Sequence, residues 1–493
     1  MNTERAEKLF LAIGGVTEEL VSEAEQPGEP REKRPLRWLA MAAVFALVAG
    51  AVYLLPVIGI GGNAGGAGIS GDSAAPGATV FMSYAGPVLP LTVVDGPENL
   101  PADREVTWDF SAPGETGSRD FYQVTVTDST TIRNDGAEDL TITVGYPVTA
   151  DLRTEGESLP SLTADGKALK ASLLWGDAKE GKEEEPMWSA PRLESWEDVR
   201  ILLEDGSCLE NAQKEAPVLE QTITVWELKE SVAPETDRGA PTLAIRFRLD
   251  EEKTQVFTYG FNGGEFGEDG TRRYSYFVPR QQDRDSRRLL IFLGEVPEGY
   301  TMEGYEDGGC EKVLEGVSAQ MSAFTTTLGE LLDQLVEEGR EEFRRLEEMK
   351  TAVRRQMDRF LSKGRRQYDN FFLEDHLSLA LVSTRVVWTT AEVTIPAGER
   401  VTITARYQKE PSFDYACAKT ENQGLYGFDL GTRLGSNLAF GRITARLENT
   451  QGVEIVREDF GFRQTAGGWE AEIASGQEHC AIEVRRRPSP PAG

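Results

Sequence analysis

Phe121–Val148 reads FYQVTVTDSTTIRNDGAEDLTITVGYPV. Val124, Val126 and Ile132 fall on one side of an extended chain, with Tyr122 two residues before them. After Asn134-Asp135-Gly136, Leu140, Ile142 and Val144 repeat the same spacing of two. Alternation of this kind marks a half-buried strand, and Val, Ile and Thr crowd well onto a pleated surface. An Asn/Asp/Gly turn between two such runs is a β-hairpin signal. The stretch therefore predicts a mainly β protein.

The same period recurs along most of the chain. Runs at Thr222–Leu228, Leu243–Leu249, Thr254–Phe261, Arg273–Val278 and Leu289–Leu293 predict strands. RVVWTTAEVTIPAGERVTITARYQKEPSFDY places two more around a Pro-Ala-Gly turn, with Val401, Ile403, Ala405 and Tyr407 on one face. Further strands are predicted at Arg442–Leu447, Val453–Arg457, Gly468–Ile473 and Ala481–Arg485. Many short strands separated by Gly, Asn and Asp turns predict a β-sandwich. A short helix is predicted at Ser195–Glu204, where Trp196, Val199 and Leu202 have helical spacing.

Two stretches depart from the β pattern. Thr327–Arg366 opens on a capping box, Thr327-Leu328-Gly329-Glu330. Leu328, Leu332, Leu335, Phe343, Leu346, Val353, Met357 and Phe360 then form one stripe. Acidic residues gather at its start and basic ones at its end, complementing the helix dipole. A single amphipathic helix over 327–366, about 50 Å long, is predicted. It would pack on its own β-domain or, alternatively, on a helix of another chain. Gly339 is its weak point.

The second is Leu36–Ile60, 25 residues in which Arg37 is the only charge. About 20 apolar residues suffice to cross the hydrocarbon core. A cleaved signal peptide usually has a shorter apolar run near the very N-terminus, whereas 35 residues precede this one. A buried soluble helix of this length is the least favoured alternative. The segment 36–60 is read as a transmembrane helix in contact with membrane lipid. Arg31, Lys33, Arg34 and Arg37 flank it on one side, and no basic residue follows before Arg104. The positive-inside rule places 1–35 in the cytoplasm and the large C-terminal part outside the cell.

The expected order is thus a short amphipathic head at 1–35, the transmembrane helix 36–60 and a Gly/Ala/Ser linker at 61–79. A β-rich external region at 80–310, the long helix 327–366 and a second β-sandwich region at 378–487 follow. Residues 80–180 and 378–485 can also complete one discontinuous sandwich around an insert, an arrangement slightly preferred to two separate ones.

The net charge of −30 makes nucleic acid a poor partner, because the phosphate term would be repulsive. Envelope polymers, proteins, cations and basic peptides suit such a surface better. Four cysteines, Cys208, Cys310, Cys417 and Cys480, contain no CxxC pair. Cys208–Cys310 with Cys417–Cys480 is one of three disulfide patterns, and four free thiols stand at least level with it. Two histidines, His376 and His479, make a zinc site of the usual type hard to build.

Chemistry is sparse. The chain holds no GxSxG, HExxH or phosphate-binding loop. Gly59–Ala64 matches GxGxxA on paper but follows an apolar helix and opens a linker, so no cofactor is assigned. Asp109, Glu265 and Asp269 are nominal carboxylates for glycoside hydrolysis, with surface charge the better account of each. Phe257, Tyr259, Phe261, Tyr274 and Tyr276 could stack on sugar rings if exposed; burial in a core is preferred. The loop Asn262–Gly270 offers oxygen ligands for Ca²⁺ without the spacing of a calcium loop, and a plain hairpin tip is favoured. No catalytic, cofactor or metal residue is assigned, and no enzyme activity is expected.

LFLAIGGVTEELVSEAE, at residues 9–25, resembles the cytoplasmic heads of a group of single-pass membrane proteins of Gram-positive anaerobes, often encoded beside extracytoplasmic-function sigma factors. TTIRNDGAEDLTITVGYPV and TIPAGERVTITARYQ resemble the opening and closing strand pairs of immunoglobulin-like modules. FMSYAGPVLPLTVVDG, TYGFNGGEFGEDGTRRYSYFVP and LGSNLAFGRITARLENT resemble uncharacterised external domains of the same group. The strand-pair resemblances imply an external immunoglobulin-like β-sandwich, and the external-domain resemblance implies no known activity; a recognition or scaffold role at the cell envelope is the reading preferred here. The head resemblance implies one alternative, an anti-sigma-like regulator whose head meets a cytoplasmic partner, and the carboxylates leave a second, a cell-wall hydrolase.

Overall fold

The computed structural model describes residues 84–111, 123–178, 193–235, 240–278, 287–341, 343–362, 371–415, 422–466 and 468–487. The head, the 36–60 segment and the linker lie outside them. Among the described residues no helix is long and apolar enough to cross a membrane. The protein is mainly β, with several sheets in a sandwich-like arrangement.

Two strands flank the opening turn as expected, Val124–Arg133 and Leu140–Ala150, but they are not a hairpin. Val124–Arg133 pairs with Arg400–Lys409, and Leu140–Ala150 pairs with Arg385–Ile395. The turn carries the chain from one sheet to the facing one. The turn at Pro396–Glu399 does the same, so two arches embrace, strand for strand. Asn134 ties them together. Its Nδ2 donates to the carbonyls of Glu138 (2.8 Å) and Ile395 (3.0 Å), and its Oδ1 accepts from the Gly136 amide. Gly398 N donates to Gly136 O across the two turns (3.1 Å), and its φ of +68° is one glycine supplies readily. Pro147 does not end its strand. It lies opposite Trp388, past the point where Thr92–Asp95 stops pairing at Gly145, so its missing amide disturbs no ladder on that side.

The arches build two sheets. Sheet I runs in the order Thr92–Asp95, Leu140–Ala150, Arg385–Ile395, Ser172–Ala178. Sheet II has eight strands, with Val124–Arg133 and Arg400–Lys409 near its middle. Ile142, Val144, Val393 and Ile395 from sheet I meet Val126, Ile132, Ile403 and Ala405 from sheet II in one buried core. The Tyr146 and Tyr407 rings face each other at 5.8 Å. Sheet II continues through Pro101–Asp109, which pairs in parallel with Ala439–Glu448. There sheet III, in the order Phe413–Asp414, Leu425–Gly431, His479–Arg486, Val453–Glu458, covers it; Phe110 and Phe428 make edge contact at 5.7 Å.

Two further sheets are built from strands that lie between Ala178 and Arg385 in the chain. Sheet IV is ordered Ser318–Thr327, Thr222–Val232, Leu289–Gly294, Thr254–Tyr259, Phe371–Phe372. Sheet V is ordered Gly263–Phe266, Thr271–Phe277, Thr242–Arg248, Tyr300–Tyr305. Trp226, Leu290, Phe292 and Val256 of sheet IV face Leu243, Ile245 and Phe247 of sheet V. Val225, Ile291 and Phe257 face the opposite way, onto helices. Burial on both faces gives near-continuous apolar runs such as LLIFL.

Five α-helices are found among the described residues: α1 (Trp196–Leu203), α2 (Ser207–Gln213), α3 (Leu328–Glu338), α4 (Leu346–Ser362) and α5 (Leu373–Val382). The single helix expected over 327–366 is a correction. The capping box forms, with the Glu330 amide donating to Thr327 Oγ1 at 3.2 Å, but the helix stops at Gly339. A Cβ on Gly339 would lie 2.6 Å from the Phe343 ring, so the small residue lets the chain fold over. In one straight helix Glu337 and Lys350 would be about 20 Å apart along the axis. Instead Lys350 Nζ reaches Glu337 Oε1 at 2.6 Å, and Arg354 pairs with Asp333. The apolar stripe survives as two helices folded against each other. Leu332, Leu335, Val353 and Met357 are all buried.

Candidate functional site

A cleft opens where the helical pair meets the sandwich. Its volume is about 240 Å³, and it is lined by Leu152, Arg153, Glu155, Phe343, Arg344, Arg345, Met349 and Leu381. Leu152 to Glu155 follow the strand Leu140–Ala150. Phe343 to Arg345 form the connection into α4, Met349 sits in its first turn, and Leu381 ends α5. Leu152, Phe343 and Met349 are buried and make an apolar floor. The walls are tied by Leu152 N donating to Leu381 O (3.2 Å) and Arg345 Nη2 donating to Thr154 O (3.0 Å).

The arginines differ in their commitments. Arg153 is bound to Asp151 (2.5 Å), and half of its side chain is exposed. Arg344 pairs with Glu155 and is mostly exposed. Arg345 lies over the Trp175 ring at 5.2 Å, and its Nε is buried without a hydrogen-bond partner. Three guanidinium groups and one carboxylate line the cleft, in a chain whose net charge is −30. Cations above an apolar floor favour an anionic ligand with an apolar part.

Two buried polar clusters stand elsewhere. Arg104 and Asp128 are fully buried on neighbouring strands of sheet II, with Nη2–Oδ2 at 2.7 Å. Arg104 Nη1 donates to the carbonyls of Gly431 (2.7 Å) and Thr432 (3.1 Å) at the end of a sheet III strand. Tyr146 of sheet I donates to Asp128 Oδ2 at 2.9 Å. One ion pair thus binds three sheets together, a structural role. In the second cluster, Asp429 accepts from the Tyr84 hydroxyl and lies 3.1 Å from His479 Nε2, although the ring nitrogen is not aligned for a hydrogen bond. His479 opens its strand and stacks on Trp196 of α1 at 4.4 Å. Lys409 is nearby and buried, which pushes its ammonium down to about 8. Ser412, whose hydroxyl accepts from the Asp429 amide, is wholly buried and out of reach of a substrate. This cluster therefore fastens α1 to sheet III.

The residues singled out from sequence are held in structural roles. Asp109 accepts hydrogen bonds from Ser111 and Asn449; burial opposes its charge, but these bonds outweigh it and hold the carboxyl below its ordinary value. Glu265 pairs with Arg273 and Asp269 with Arg248 on sheet V. Asp109 lies in sheet II, so the structure does not bring the three together. The Asn262–Gly270 loop is a hairpin closed by Gly267 N donating to Thr271 O (2.8 Å). No group of three or more metal-ligating side chains is found among the described residues. Phe257, Phe261, Tyr274 and Tyr276 are buried and Tyr259 is half-buried; Phe257 and Tyr259 pack into the core that holds the helices, whereas Phe261, Tyr274 and Tyr276 belong to the core between sheets IV and V.

Cys208, Cys310 and Cys480 are free and buried, so neither Cys208–Cys310 nor Cys417–Cys480 forms; Cys417 lies outside the described residues. Three separate cores hold them. Burial pushes the Cys208 and Cys480 thiols up to about 12. The Gly59–Ala64 fingerprint is also outside the described residues.

Sequence reasoning missed the cleft residues and Glu374. Glu374, in the first turn of α5, accepts from the Gly260 amide, and burial raises its carboxyl to about 7. The signal in FFLEDHL is only a buried-looking carboxylate between apolar residues. No family model matches the chain, and no curated protein does.

Proposed function

We propose that the protein is a membrane-anchored extracytoplasmic β-sandwich protein, immunoglobulin-like in its arched sandwich, with a non-catalytic recognition role at the cell envelope. The apolar stretch 36–60 supplies the anchor, and the basic residues before it keep the head in the cytoplasm. The single observation that carries the recognition reading is the cleft. It combines an apolar floor with an arginine rim, the composition of a binding site. The nominal carboxylates, each engaged by structural partners, lend no weight to a hydrolase.

Protease treatment of intact cells tests the placement. The large C-terminal part should be digested from outside, while an epitope tag at the N-terminus stays protected and resists alkaline extraction from membranes. Recovery of a mature chain from the medium, beginning past residue 60, would overturn the anchored reading.

A further inference from the structure

Resting on the recognition reading of the cleft, we propose that it binds a compact carboxylate carrying an apolar group. Such a ligand is either a free aromatic or branched-chain acid or the C-terminal end of a peptide. Volume sets the size. At about 30 Å³ per water molecule, 240 Å³ is roughly eight waters, room for a ligand of benzoate's size. Chemistry sets the polarity. Leu152, Phe343, Met349 and Leu381 offer no polar side chain to the interior, so the inner part of a ligand must be apolar.

The rim sets the charge. Arg344 keeps most of its side chain in solvent and binds Glu155 through one nitrogen, Nη1. Arg153 binds Asp151 through Nε and Nη2 and leaves Nη1 without a hydrogen bond. Arg345 is fixed by Thr154 O and the Trp175 ring. With Asp151 counted beside Glu155, three guanidinium groups still face two carboxylates, one positive charge in excess. A guanidinium fork matches the geometry of a carboxylate, which accepts two parallel N–H bonds. The wall that would hold such a ligand is already shaped, because Arg345 and the Leu152–Leu381 hydrogen bond fix both sides.

The full-length chain in lipid nanodiscs, with empty nanodiscs as the blank, tests this by calorimetry and ligand-observed NMR. The probes are benzoate, its neutral counterpart benzyl alcohol, sulfate as an anion without an apolar part, and acetyl-Ala-Leu with a free carboxylate. Benzoate should bind saturably and at least about tenfold more tightly than benzyl alcohol or sulfate. Tighter binding of the peptide than of benzoate identifies a chain terminus as the ligand; the reverse identifies a free acid. The paired variant Arg153→Gln, Arg344→Gln changes only exposed or half-exposed side chains, so it should fold, and thermal unfolding verifies that. It should weaken benzoate at least about tenfold and leave benzyl alcohol unchanged. No saturable binding up to 10 mM (roughly −2.7 kcal/mol), equal binding of benzoate and benzyl alcohol, or unchanged benzoate affinity in the paired variant would overturn the proposal. Saturable binding without a preference for the carboxylate would sink this proposal and leave the cleft a recognition site, whereas no saturable binding of any probe would sink both.

Discussion

Replacing Asp128 with Asn should be among the most damaging single changes in the sandwich. The Arg104 and Asp128 side chains are completely buried. Asp128 faces Arg104 through both oxygens, with Nε at 3.1 Å from each and Nη2 at 2.7 Å from Oδ2. Asparagine keeps the shape but removes the charge. The guanidinium then keeps only the Gly431 and Thr432 carbonyls as strong acceptors. Breaking a buried pair by removing one partner costs about 3–5 kcal/mol, since the other charge stays buried and uncompensated. Tyr146 loses a charged acceptor as well, which places the effect toward the upper end.

The double replacement Arg104→Met, Asp128→Leu removes both charges and retains much of the volume. It should cost less than Asp128→Asn, and less than Arg104→Met or Asp128→Leu alone, so the cycle built on those two singles returns a coupling of about 2–3 kcal/mol or more. Urea unfolding followed by tryptophan fluorescence is a suitable assay, because Trp108 is wholly buried on the same strand as Arg104. Far-UV circular dichroism should trace the same transition if unfolding is two-state. An Asp128→Asn variant within 1 kcal/mol of the parent, or a double variant as unstable as the single, would refute a three-sheet clamp held by charge.

Three further outcomes are expected. In a Cys417→Ser chain, Cys208, Cys310 and Cys480 should ignore a thiol reagent at pH 8 until the protein unfolds. At a value near 12 only about one Cys208 or Cys480 in ten thousand is thiolate, and a rapid native reaction would contradict the burial. Glu374 is raised from 4.5 to about 7, so it binds a proton in the folded state that the unfolded chain has lost; its contribution is complete below about pH 4.5 and vanishes as pH climbs through 7, a swing on the order of 3 kcal/mol. His376, lowered by burial from 6.5 to about 4, acts oppositely and loses stability as pH falls through that window, so Glu374→Gln should flatten the decline between pH 6.5 and 8 and unmask the histidine's slope below it, as read from urea midpoints. Finally, the pair Glu337→Cys, Lys350→Cys should crosslink with a short bifunctional reagent, whereas a straight helix would hold those positions about 20 Å apart and give no product.

The positions of the strands were far more legible than their partners. Period-two runs such as Val401–Tyr407 mark a strand wherever one face is buried, and the observed strand Arg400–Lys409 covers that run. The alternation does not say whether the next strand lies beside the first or across the core from it. Asn134 and Gly136 look the same in either case, and the deciding contacts, to Ile395 and Gly398, come from more than 250 residues away. Strands buried on both faces lose the alternation, and Ser318–Thr327 (SAQMSAFTTT) escaped notice for a different reason, having few large residues to mark a face. The helical stripe was legible, and so was the weak point at Gly339; the fold-back needed Phe343 to close over it. The cleft was illegible because its arginines sit in ordinary charged stretches. Only the approach of 152–155, 343–349 and 381 gives them a common purpose.

That approach follows from how the chain leaves sheet I and rejoins it. Arg385 lies opposite Ala178 on one side and Ala150 on the other, so the chain departs from sheet I and returns to it at neighbouring positions. Closing a long excursion at a fixed neck costs little more than closing a short one, because loop entropy grows only logarithmically with length. The neck then needs polar partners, since three strand ends converge there. Arg385 is buried enough for its guanidinium to be driven down to about 10, and it donates to Ala380 O at 2.6 Å at the end of α5. Asp177, one residue before the departure, receives Arg355 at 3.2 Å and also Arg359, both from α4. Arg355 reaches on to the carbonyls of Asn211 (3.1 Å) and Lys214 (2.6 Å) at the C-terminal end of α2. The same arginine-rich helix that closes the neck therefore begins at the wall of the cleft. Its basic residues are needed to satisfy carbonyls and carboxylates where the helices meet sheet I, and Arg344 and Arg153 lie at the open edge of that junction. Recognition at the cleft would thus reuse a surface whose composition the packing of the helices on sheet I already requires.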